Sequence, residues 1–556
     1  MPRLRLPIPL SLSVLASVLL LAACGQVGDS GARPLVTSGT QPNPPTPSPT
    51  PFQPQAPTPT PGPISIWIAP GVPQVLAAQV QELVSSEPSS FLVVEQPTSA
   101  QVRVEPAPEY ALTTWIYAVV APFPTIEDGL TLVSLRQAWQ GDAGGVDAWF
   151  TSLATAAVLG AWLGEPGAGV VQVGQDKDLI DQAWQARTSR AVVPFESLDP
   201  RWKVLELDGQ SPLHKDFAPE SYPLAVPIGL SGEVESVEPV HARLDWPSSN
   251  RDPDRLSVVV MTGVTALTRA TAWMMDIRGV KFPGELVGDW LRNADITHVS
   301  NEVSFAENCP PADPSPANMR FCSAPENLEL LQDVGVDVVE LTGNHLIDWG
   351  QPAMLYSLDL YRQLGWSTFG GGLDLEASMQ PAILEDHGNR FAFLGCNPAG
   401  PSFDWATSTS PGSTPCDKER LFGELANLRG QGYITIFTFQ WPESYRASPL
   451  PDQVAGFREA IDAGAMIVSG SQAHQPQGFE FYKGGFIHYG LGNLFFDQMW
   501  SEPTRQEFID RYVFYDGRHI GTELLTTHLE EYAQPRPMTP EERTSFLKAI
   551  FEASGW

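Results

Sequence analysis

The sequence predicts an α/β fold in two domains. Its 556 residues are more than one hydrophobic core normally covers, because domains usually run to about 100–200 residues. Apolar, β-branched runs alternate with amphipathic, helix-like segments along most of the chain. In the second half, polar residues follow the apolar runs repeatedly, as they do where strands end at a functional edge of an α/β sheet. These observations predict two α/β domains, with a site in the second.

The N-terminal residues are expected to lie outside both domains. A positive start at Met1–Arg5 precedes an apolar stretch and a small-residue pattern that ends in Cys24. This resembles a bacterial lipoprotein signal peptide over residues 1–23, which implies cleavage, lipidation of Cys24 and export. An uncleaved signal anchor is the alternative. Residues 24–63 are rich in Pro, Thr and Ser, and they predict an extended tether to a membrane lipid anchor.

The net charge indicates which partners the protein can have, and the cysteine pairs indicate disulfide bonds. A formal net charge of −31 argues against nucleic acid as a partner and is most simply a solubility feature. Two pairs of cysteines lie close in sequence, Cys309 with Cys322 and Cys396 with Cys416. In an exported protein both pairs are expected to be disulfides that pin loops near the site. Zinc binding is the alternative, although the spacings are wide for it.

The first domain is predicted to span residues 64–245. A helix that starts near Ser134 and the segment Val193–Glu196 resemble type II periplasmic solute-binding proteins. The resemblance implies a cleft for a small solute, and a degenerate domain that has lost its ligand is the alternative. The elements expected from apolar periodicity are a strand at Pro63–Ala69, a helix at Val75–Val84 and a strand at Trp115–Ala121.

The second domain is predicted to span residues 256–556 and to carry the site. Several apolar strands in it are each followed by polar side chains, and such strand ends converge on one rim of an α/β sheet. The polar segments are Asn301–Glu302, Gly343–His345, Gln440–Trp441, Gly470–His474 and Gly492–Asn493.

The segment Gly343–His345 is the most informative of these. It follows the β-branched run Val336–Leu341 and opens into a helical pattern. An amide, an imidazole and the nearby Asp348 at a strand end suit a metal or phosphate-type site. Asp348 could orient His345, but the pattern favours Asp348 as the cap of a helix that starts near Trp349.

The motifs of the second half resemble the CapA, or poly-gamma-glutamate capsule synthesis, family. The segments that carry the resemblance are Asp337–Gly350, Phe369–Gly372, Phe391–Gly395 and Tyr489–Gln498. The family implies a metallophosphoesterase-like α-β-β-α sandwich. It also implies an extracytoplasmic role in the synthesis, export or trimming of a surface polymer, with capsule-assembly proteins as partners.

Positions that match the family motifs give the candidate site residues. The matched residues are Glu302, Asn344, His345, Asp348, His474, Asn493 and Asp497. The positions that depart are Val264 in place of a metal-binding Asp, Gly343 in place of an Asn, and Gln440 and Gln472 in place of two histidines. Because these changes remove charge and strong donors, they weaken a two-metal centre. A single divalent metal ion held by Glu302, His345 and His474, or no metal, is expected instead.

If the site is catalytic, the expected reaction is hydrolysis or transfer at an amide or ester of an acidic surface polymer. A water held by Glu302 and His474 would attack, and His345 would protonate the leaving group. Asn344 would stabilise the developing oxyanion. His345 can serve as proton donor or as metal ligand, but not as both. The residues expected to meet the substrate are Asn301, Gln440, Trp441, Gln472 and Asn493. The alternative is a non-catalytic lipoprotein that binds polymer or solute through a degenerate site.

Overall fold

Three large β-sheets, one in the N-terminal half and two in the C-terminal half, organise the described part of the chain. The computed structural model describes residues 62–142 and 144–556. The signal peptide, Cys24 and most of the tether therefore lie outside the described residues. The predicted α/β class with two domains is confirmed. Residues 62–556 nevertheless form one compact unit, and the domain boundaries at 64–245 and 256–556 stay predictions.

The N-terminal half is a mixed sheet flanked by helices. The strands are β1 (Ile64–Ile68), β2 (Phe91–Val93), β3 (Val102–Pro106), β4 (Tyr110–Pro122), β5 (Gly129–Leu130), β6 (Trp149–Ser152), β7 (Val170–Val173), β8 (Arg190–Pro194), β9 (Trp202–Leu207) and β10 (Ala225–Gly232). The helices are α1 (Gln74–Ser86), α2 (Leu132–Trp139), α3 (Leu153–Leu163), α4 (Asp176–Gln185) and α5 (Val234–His241). The main path is β2-β1-β3-β10-β4-β8-β6-β7, and β9 pairs with β4 and β5. Strand β1 is one residue shorter at each end than the strand expected at Pro63–Ala69. The helix expected at Val75–Val84 lies within α1, and the strand expected at Trp115–Ala121 lies within β4.

The C-terminal half supplies the other two large sheets. Its strands are β11 (Leu256–Thr262), β12 (Val264–Thr265), β13 (Ile296–Asn301), β14 (Val338–Glu340), β15 (Ser367–Phe369), β16 (Gly371–Gly372), β17 (Ala382–Asp386), β18 (Asn389–Cys396), β19 (Gly412–Ser413), β20 (Ile434–Gln440), β21 (Ile467–Ser471), β22 (Phe479–Tyr482), β23 (Gly485–His488), β24 (Gln506–Tyr515), β25 (Arg518–Glu530) and β26 (Gln534–Pro537). Its helices are α6 (Arg269–Arg278), α7 (Gly288–Arg292), α8 (Leu328–Asp333), α9 (Gln351–Leu364), α10 (Leu375–Ser378), α11 (Lys418–Gly430), α12 (Pro451–Asp462), α13 (Glu502–Arg505) and α14 (Pro540–Ala553). No helix in the described part of the chain is both long and apolar enough to span a membrane.

The two C-terminal sheets pack face to face. One runs β15-β14-β13-β11-β24-β25-β26, and the other runs β17-β18-β20-β21-β23-β22. Alternate residues of a strand point to opposite faces, so Ile434 and Ile436 of β20 enter the core between the sheets. Phe437 and Phe439 of the same strand pack on the outer face with α11 and α12. Helices α8 and α9 cover the outer face of the other sheet, which completes the predicted α-β-β-α sandwich.

The N-terminal half packs directly against this sandwich. Phe123, at the end of β4, makes edge contacts with aromatic rings of the C-terminal half at centroid distances of 5.3 to 6.2 Å. Arg543 of α14 donates to Asp128 at 2.8 Å, and His214 Nε2 lies 2.8 Å from Glu523 Oε1. The ring partners of Phe123 are Phe479, Phe481, Phe486, Phe551 and Trp556. Apolar packing and ion pairs therefore join the two halves.

Candidate functional site

The carboxyl ends of parallel strands from both C-terminal sheets meet at one edge of the sandwich. Strands β13 and β14 are parallel neighbours in one sheet, and β20 and β21 are parallel neighbours in the other. Glu302 follows β13, whereas Gln440 ends β20. Gln440 Nε2 donates a hydrogen bond to Glu302 Oε1 at 2.8 Å, which joins the two sheets at this edge.

Gln440 holds two of the candidate catalytic groups in place. Its Nε2 also donates to Asn344 Oδ1 at 3.2 Å, and its Oε1 accepts from Ser471 Oγ at 2.7 Å. Gln440 and Glu302 are buried, so these hydrogen bonds are shielded from water. Within the described residues, Glu302 Oε2 and Asn344 Nδ2 have no hydrogen bond of their own. The carboxylate is thus available to accept a proton, and the amide N–H is available to donate a hydrogen bond.

His345 is paired with Asp348 through its inner ring nitrogen. Nδ1 of His345 lies 2.8 Å from Asp348 Oδ2, which also accepts from Phe321 N at 3.0 Å. Burial lowers the pKa of His345, but Asp348 and Glu302 outweigh it and leave the pKa above its ordinary value. The favoured assignment of Asp348 as a helix cap is wrong, because α9 begins at Gln351 and no side chain caps it. Its carboxylate orients the imidazole instead.

Asp404 is a site residue that the sequence prediction missed. Its side chain is fully buried, and Oδ1 accepts from the backbone N–H of Ile347, two residues after His345, at 2.9 Å. Within the part of the chain that the structure describes, Oδ2 has no hydrogen-bond partner. Burial raises the pKa of Asp404 to about 7, and the nearby Asp348 carboxylate adds to the rise. Its position between two cysteines expected to be bonded was the available signal. Glu302, Asn344, His345, Asp348, Asp404 and Gln440 are called the strand-end site below.

His474 is held beside this group by Asn493. Its Nδ1 donates to Asn493 Oδ1 at 2.9 Å, and Asn493 Nδ2 donates back to the His474 carbonyl at 3.1 Å. The backbone is left-handed at Gln472, with φ of 68°, and at His474, with φ of 47°. Such conformations are uncommon for residues other than glycine and cluster at functional sites. Gln472 is buried, and its Oε1 has no hydrogen-bond partner among residues 62–142 and 144–556.

A close backbone approach brings Asn493 next to β12. A Cβ atom at Gly263 would lie only 2.1 Å from the Gly492 carbonyl oxygen, so the crossing requires glycine. Val264 N donates to that carbonyl at 3.0 Å.

Two predicted substrate-binding residues point elsewhere. The Asn301 amide donates to Tyr361 Oη at 2.7 Å and faces the helix layer. Trp441 packs against Phe439 and Phe457, with centroid distances of 5.5 and 5.7 Å. The sequence could not show this, because the end of a strand fixes the position of a residue but not the direction of its side chain. Neither side chain joins the strand-end site.

Apolar side chains and a guanidinium occupy the region where the family resemblance implied a metal-binding carboxylate. Val264 is fully buried in a cluster with Ala266, Val303, Phe321 and Phe496. The centroid of the Phe321 ring lies 4.8 Å from that of His345, and the Phe496 ring lies 5.5 Å from that of His474. Both imidazoles therefore border an apolar surface.

Arg269 places a fixed positive charge against the same two phenylalanines. Its guanidinium carbon lies 5.2 Å from the Phe321 ring centroid and 4.8 Å from that of Phe496. Nε donates to Asp497 Oδ2 at 3.1 Å, and Nη2 contacts Asp497 Oδ1. Asp497, which matched a family motif, is therefore neutralised by an arginine. The backbone of Arg269 is also left-handed, with φ of 49°.

These residues do not fit the predicted metal ion. Glu302, His345 and His474 do not bring three ligand atoms within 4.8 Å of one another. A group that meets this distance in the described part of the chain is Asp295, Asp386 and His387. It lies at the opposite edge, because Asp295 precedes β13, and Asp295 Oδ1 already contacts the ammonium group of Lys215. With Gln440 bonded to Glu302, the chemistry of the strand-end site is that of acids, bases and amides.

Both predicted disulfides are confirmed, and each closes a loop at the strand-end site. Cys309 and Cys322 are bonded, with their Cα atoms 5.8 Å apart, and their loop ends beside Phe321. Cys396 and Cys416 are bonded, with a Cα distance of 5.1 Å, and their loop carries Asp404. The disulfides thus restrain two loops that line the site.

Two cavities lie away from the strand-end site. One, of about 520 Å³, lies between the halves, where Lys203 and Glu206 face Arg511 and Glu523. Another, of about 460 Å³, lies in the N-terminal half near the ends of β1 and β3. Its charged lining is Glu105 and Glu165. The solute cleft, with the degenerate domain as its alternative, stays a prediction.

Comparisons with known proteins identify relatives of the C-terminal half. Residues 258–498 match the family model described as "Bacterial capsule synthesis protein PGA_cap". The chain is 25% identical over 301 residues to the capsule biosynthesis protein CapA of Bacillus anthracis, which covers 53% of this chain and 72% of that protein. It is 27% identical over 213 residues to the PGA biosynthesis protein CapA of Bacillus subtilis, covering 38% of this chain and 55% of that protein. The match therefore spans only about half of the second relative.

Among solved structures, an ABC-type phosphate transport receptor from Vibrio cholerae resembles part of this chain. The match covers 33% of this chain and 94% of that chain, at 14% identity and a TM-score of 0.28. A likeness this weak carries no functional argument.

Proposed function

We propose that this chain, whose residues 258–498 form a domain of the bacterial capsule synthesis family, processes a capsule-type surface polymer by acid–base chemistry at the strand-end site. The observation that carries the proposal is the His345–Asp348 pair, with its 2.8 Å contact and raised His345 pKa. A histidine whose pKa lies near the working pH can hold a proton and release it to a leaving group.

The proposed reaction is hydrolysis or transfer at an amide or ester bond. The Glu302 carboxylate accepts a proton from water, or from an acceptor hydroxyl, as that oxygen attacks the carbonyl carbon. His345 Nε2 then donates its proton to the leaving nitrogen or oxygen as the old bond breaks. Asn344 Nδ2 donates a hydrogen bond to the oxyanion, which develops only in the transition state. The proton on Glu302 returns to His345 through solvent, which closes the cycle.

This reaction is tested with the full chain and poly-gamma-glutamate, whose chain length is followed by gel filtration. The His345→Gln variant should lower the rate about 100-fold or more, because general acid catalysis contributes roughly that factor. Asp348→Asn should lower the rate and move the alkaline limb of the pH profile to lower pH, since the carboxylate raises the pKa of His345. His387→Gln, at the opposite edge, is the matched control and should behave as the wild type.

A second candidate function is binding without catalysis. Three buried residues occupy positions where the family resemblance implied metal ligands: Val264, Gln440 and Gln472. Their side chains favour a scaffold protein that binds polymer without reacting with it. The wild-type protein is incubated with polymer in water alone and with an added acceptor. If it binds the polymer but the polymer's chain length does not change in either case, the binding function replaces the catalytic one.

We also propose that the protein is lipid-anchored and faces the extracytoplasmic side. The signal pattern that ends in Cys24 and the two disulfides support this location, because disulfides persist in oxidising compartments. The Cys24→Ala variant should leave the detergent-soluble membrane fraction on cell fractionation. An unchanged distribution would rule out the lipid anchor.

A further inference from the structure

The cavity between the two halves is large enough to hold a small molecule. Its volume is about 520 Å³, and cavities that bind small ligands usually measure roughly 300–1,000 Å³. Glu206 and His214 line it from the N-terminal half, whereas Arg511 of β24 and Glu523 of β25 line it from the C-terminal half. A ligand in this cavity would therefore contact both halves.

Two charged side chains of the cavity have hydrogen-bonding groups to spare. The side chain of Arg511 is 16% exposed, and its Nη1 lies 3.4 Å from Glu523 Oε2. This ion pair is too loose to be a hydrogen bond, and within residues 62–142 and 144–556 the Arg511 guanidinium makes no other side-chain contact of this kind. In the same residues the Glu206 carboxylate has neither a hydrogen bond nor an ion pair. A guanidinium suits a carboxylate ligand, and a carboxylate suits an ammonium group.

These two side chains lie close to one another, on either hand of a shared neighbour in the network. His214 Nε2 lies 2.8 Å from Glu523 Oε1, the carboxylate that also faces Arg511. Burial lowers the pKa of His214, but Glu523 outweighs it and leaves the pKa above its ordinary value. Arg511 and Glu206 act on the same imidazole in opposite directions, so both lie near it. One small molecule can therefore reach both.

The charges that line the cavity cancel when His214 is neutral. The cations are Lys203, Arg511 and Arg543, and the anions are Asp128, Glu206 and Glu523. Asp128 is already paired with Lys203 at 2.7 Å and with Arg543 at 2.8 Å, which leaves these three side chains occupied. A ligand with one charge would pair only one of the two free groups. A zwitterion pairs both and keeps the balance.

The rest of the cavity wall offers an apolar surface. Phe123 of the N-terminal half and Leu547 and Phe551 of α14 are buried side chains that line it. Trp290 of α7 adds an indole ring, whose N–H has no hydrogen bond in the described part of the chain. Apolar walls gain free energy when an apolar group replaces water against them. The ligand is therefore expected to carry an apolar group beside its two charges.

We propose that the cavity between the halves binds a free α-amino acid with an apolar side chain. Its carboxylate accepts hydrogen bonds from Arg511, its ammonium group donates to Glu206, and its side chain packs on Phe123 and Phe551. This cavity is separate from the strand-end site, so the inference goes beyond the proposed function. Because both halves supply the walls, the ligand stabilises the folded protein as it binds.

The test measures binding of L-leucine and L-phenylalanine to the full chain by calorimetry at pH 7. At least one should bind with a dissociation constant below about 1 mM and raise the midpoint of thermal unfolding. The matched probes lack one charged group: 3-methylbutylamine and 4-methylpentanoate for leucine, phenethylamine and 3-phenylpropionate for phenylalanine. Each should bind about tenfold more weakly or worse, because it leaves one charged group of the cavity unpaired.

The Glu206→Gln variant tests the ammonium contact. It should weaken binding of the amino acid about tenfold, because an amide cannot form the charge-assisted hydrogen bond. Since Glu206 has no partner to lose in the described residues, unfolding without ligand should match that of the wild type. Arg511→Gln should weaken binding to a similar extent. Glu82→Gln of α1 and Arg136→Gln of α2, both at exposed positions, are the matched controls and should bind as the wild type does.

Three results would overturn the inference. The first is that neither amino acid binds. The second is that an amine or an acid binds as tightly as its parent amino acid, which would mean that the cavity recognises a single charge. The third is that Glu206→Gln binds as well as Glu82→Gln. None of these results bears on His345-dependent processing of the polymer, so the proposed function stands or fails separately.

Discussion

Asp404 is a buried carboxyl group whose protonation should make stability depend on pH. Its pKa in the folded protein is raised from 3.8 to about 7. The folded state therefore holds this proton more tightly than the unfolded state. Its contribution to stability is fully present below pH 4 and is lost as the pH rises towards 7. Asp404 thus lowers the stability of the protein at neutral and alkaline pH.

The Asp404→Asn variant should be more stable than the wild type, and increasingly so as the pH rises. Asparagine keeps an oxygen for the Ile347 N–H but has no charge to bury. We expect the gain in free energy of unfolding to be about 2–3 kcal/mol larger at pH 8 than at pH 5. Urea unfolding at both pH values measures it.

The control for this variant is Asp276→Asn, at an exposed position of α6, which should show no such pH dependence. Asp404→Asn with the same gain at both pH values would show that the carboxyl group is not buried as a neutral acid.

The sequence predicts those site residues that directly follow an apolar strand, because the end of the strand fixes where they lie. Glu302, Asn344 and Gln440 follow apolar runs, and the structure brings them together. Asp404 was missed because it lies in a long loop, where no periodicity marks a functional residue. Asp348 was misassigned because the helix α9 begins at Gln351, after Gly350, and not near Trp349. The Asp348 carboxylate is therefore not needed as a cap, and it contacts His345 instead.

At the scale of elements, the two disulfide loops position the backbone groups that hold the site. The Cys396–Cys416 loop carries Asp404, which binds the Ile347 N–H. The Cys309–Cys322 loop ends beside Phe321, whose N–H binds Asp348. Each loop should therefore control the protection of a different amide hydrogen.

The Cys396→Ser/Cys416→Ser variant should lose about 3 kcal/mol of stability, as expected for a closed loop of about 20 residues. We expect hydrogen exchange to become faster at the Ile347 amide, because the freed loop no longer holds Asp404 over it. The Cys309→Ser/Cys322→Ser variant is the matched control and should instead speed exchange at Phe321. Equal exchange at both amides in the two variants would contradict this division of roles.

The elements themselves were largely readable from the sequence because the central strands are buried on both faces. Strand β20 is rich in Ile and Phe for this reason, and its last residue, Gln440, opens the predicted polar segment Gln440–Trp441. Two-residue strands such as β12 and β16 leave no pattern, since their pairing comes from the surrounding fold.

At the scale of the whole molecule, the sequence predicted two domains but not how tightly they pack. The polar run up to Arg255 predicts a boundary there, and nothing in the pattern showed that Phe123 packs against the C-terminal half. Composition cannot reveal contacts of this kind, because an apolar residue at a strand end looks the same whether it packs inside its own domain or against another. The aromatic contacts of Phe123 make the interface part of the C-terminal core.

The Phe123→Ala variant should therefore destabilise both halves together. Phe123 is 2% exposed and packs among rings of the C-terminal half, so its removal should cost about 3–5 kcal/mol. Because residues 62–556 form one compact unit, unfolding should stay a single transition at a lower denaturant concentration. Far-ultraviolet circular dichroism and tryptophan fluorescence, followed in the same titration, should give coincident curves. Val133→Ala, at a 67% exposed position of the N-terminal half, is the control and should shift neither curve. Two separated transitions, with the second unchanged by Phe123→Ala, would mean that the C-terminal half folds without its partner and that the interface adds nothing to its stability.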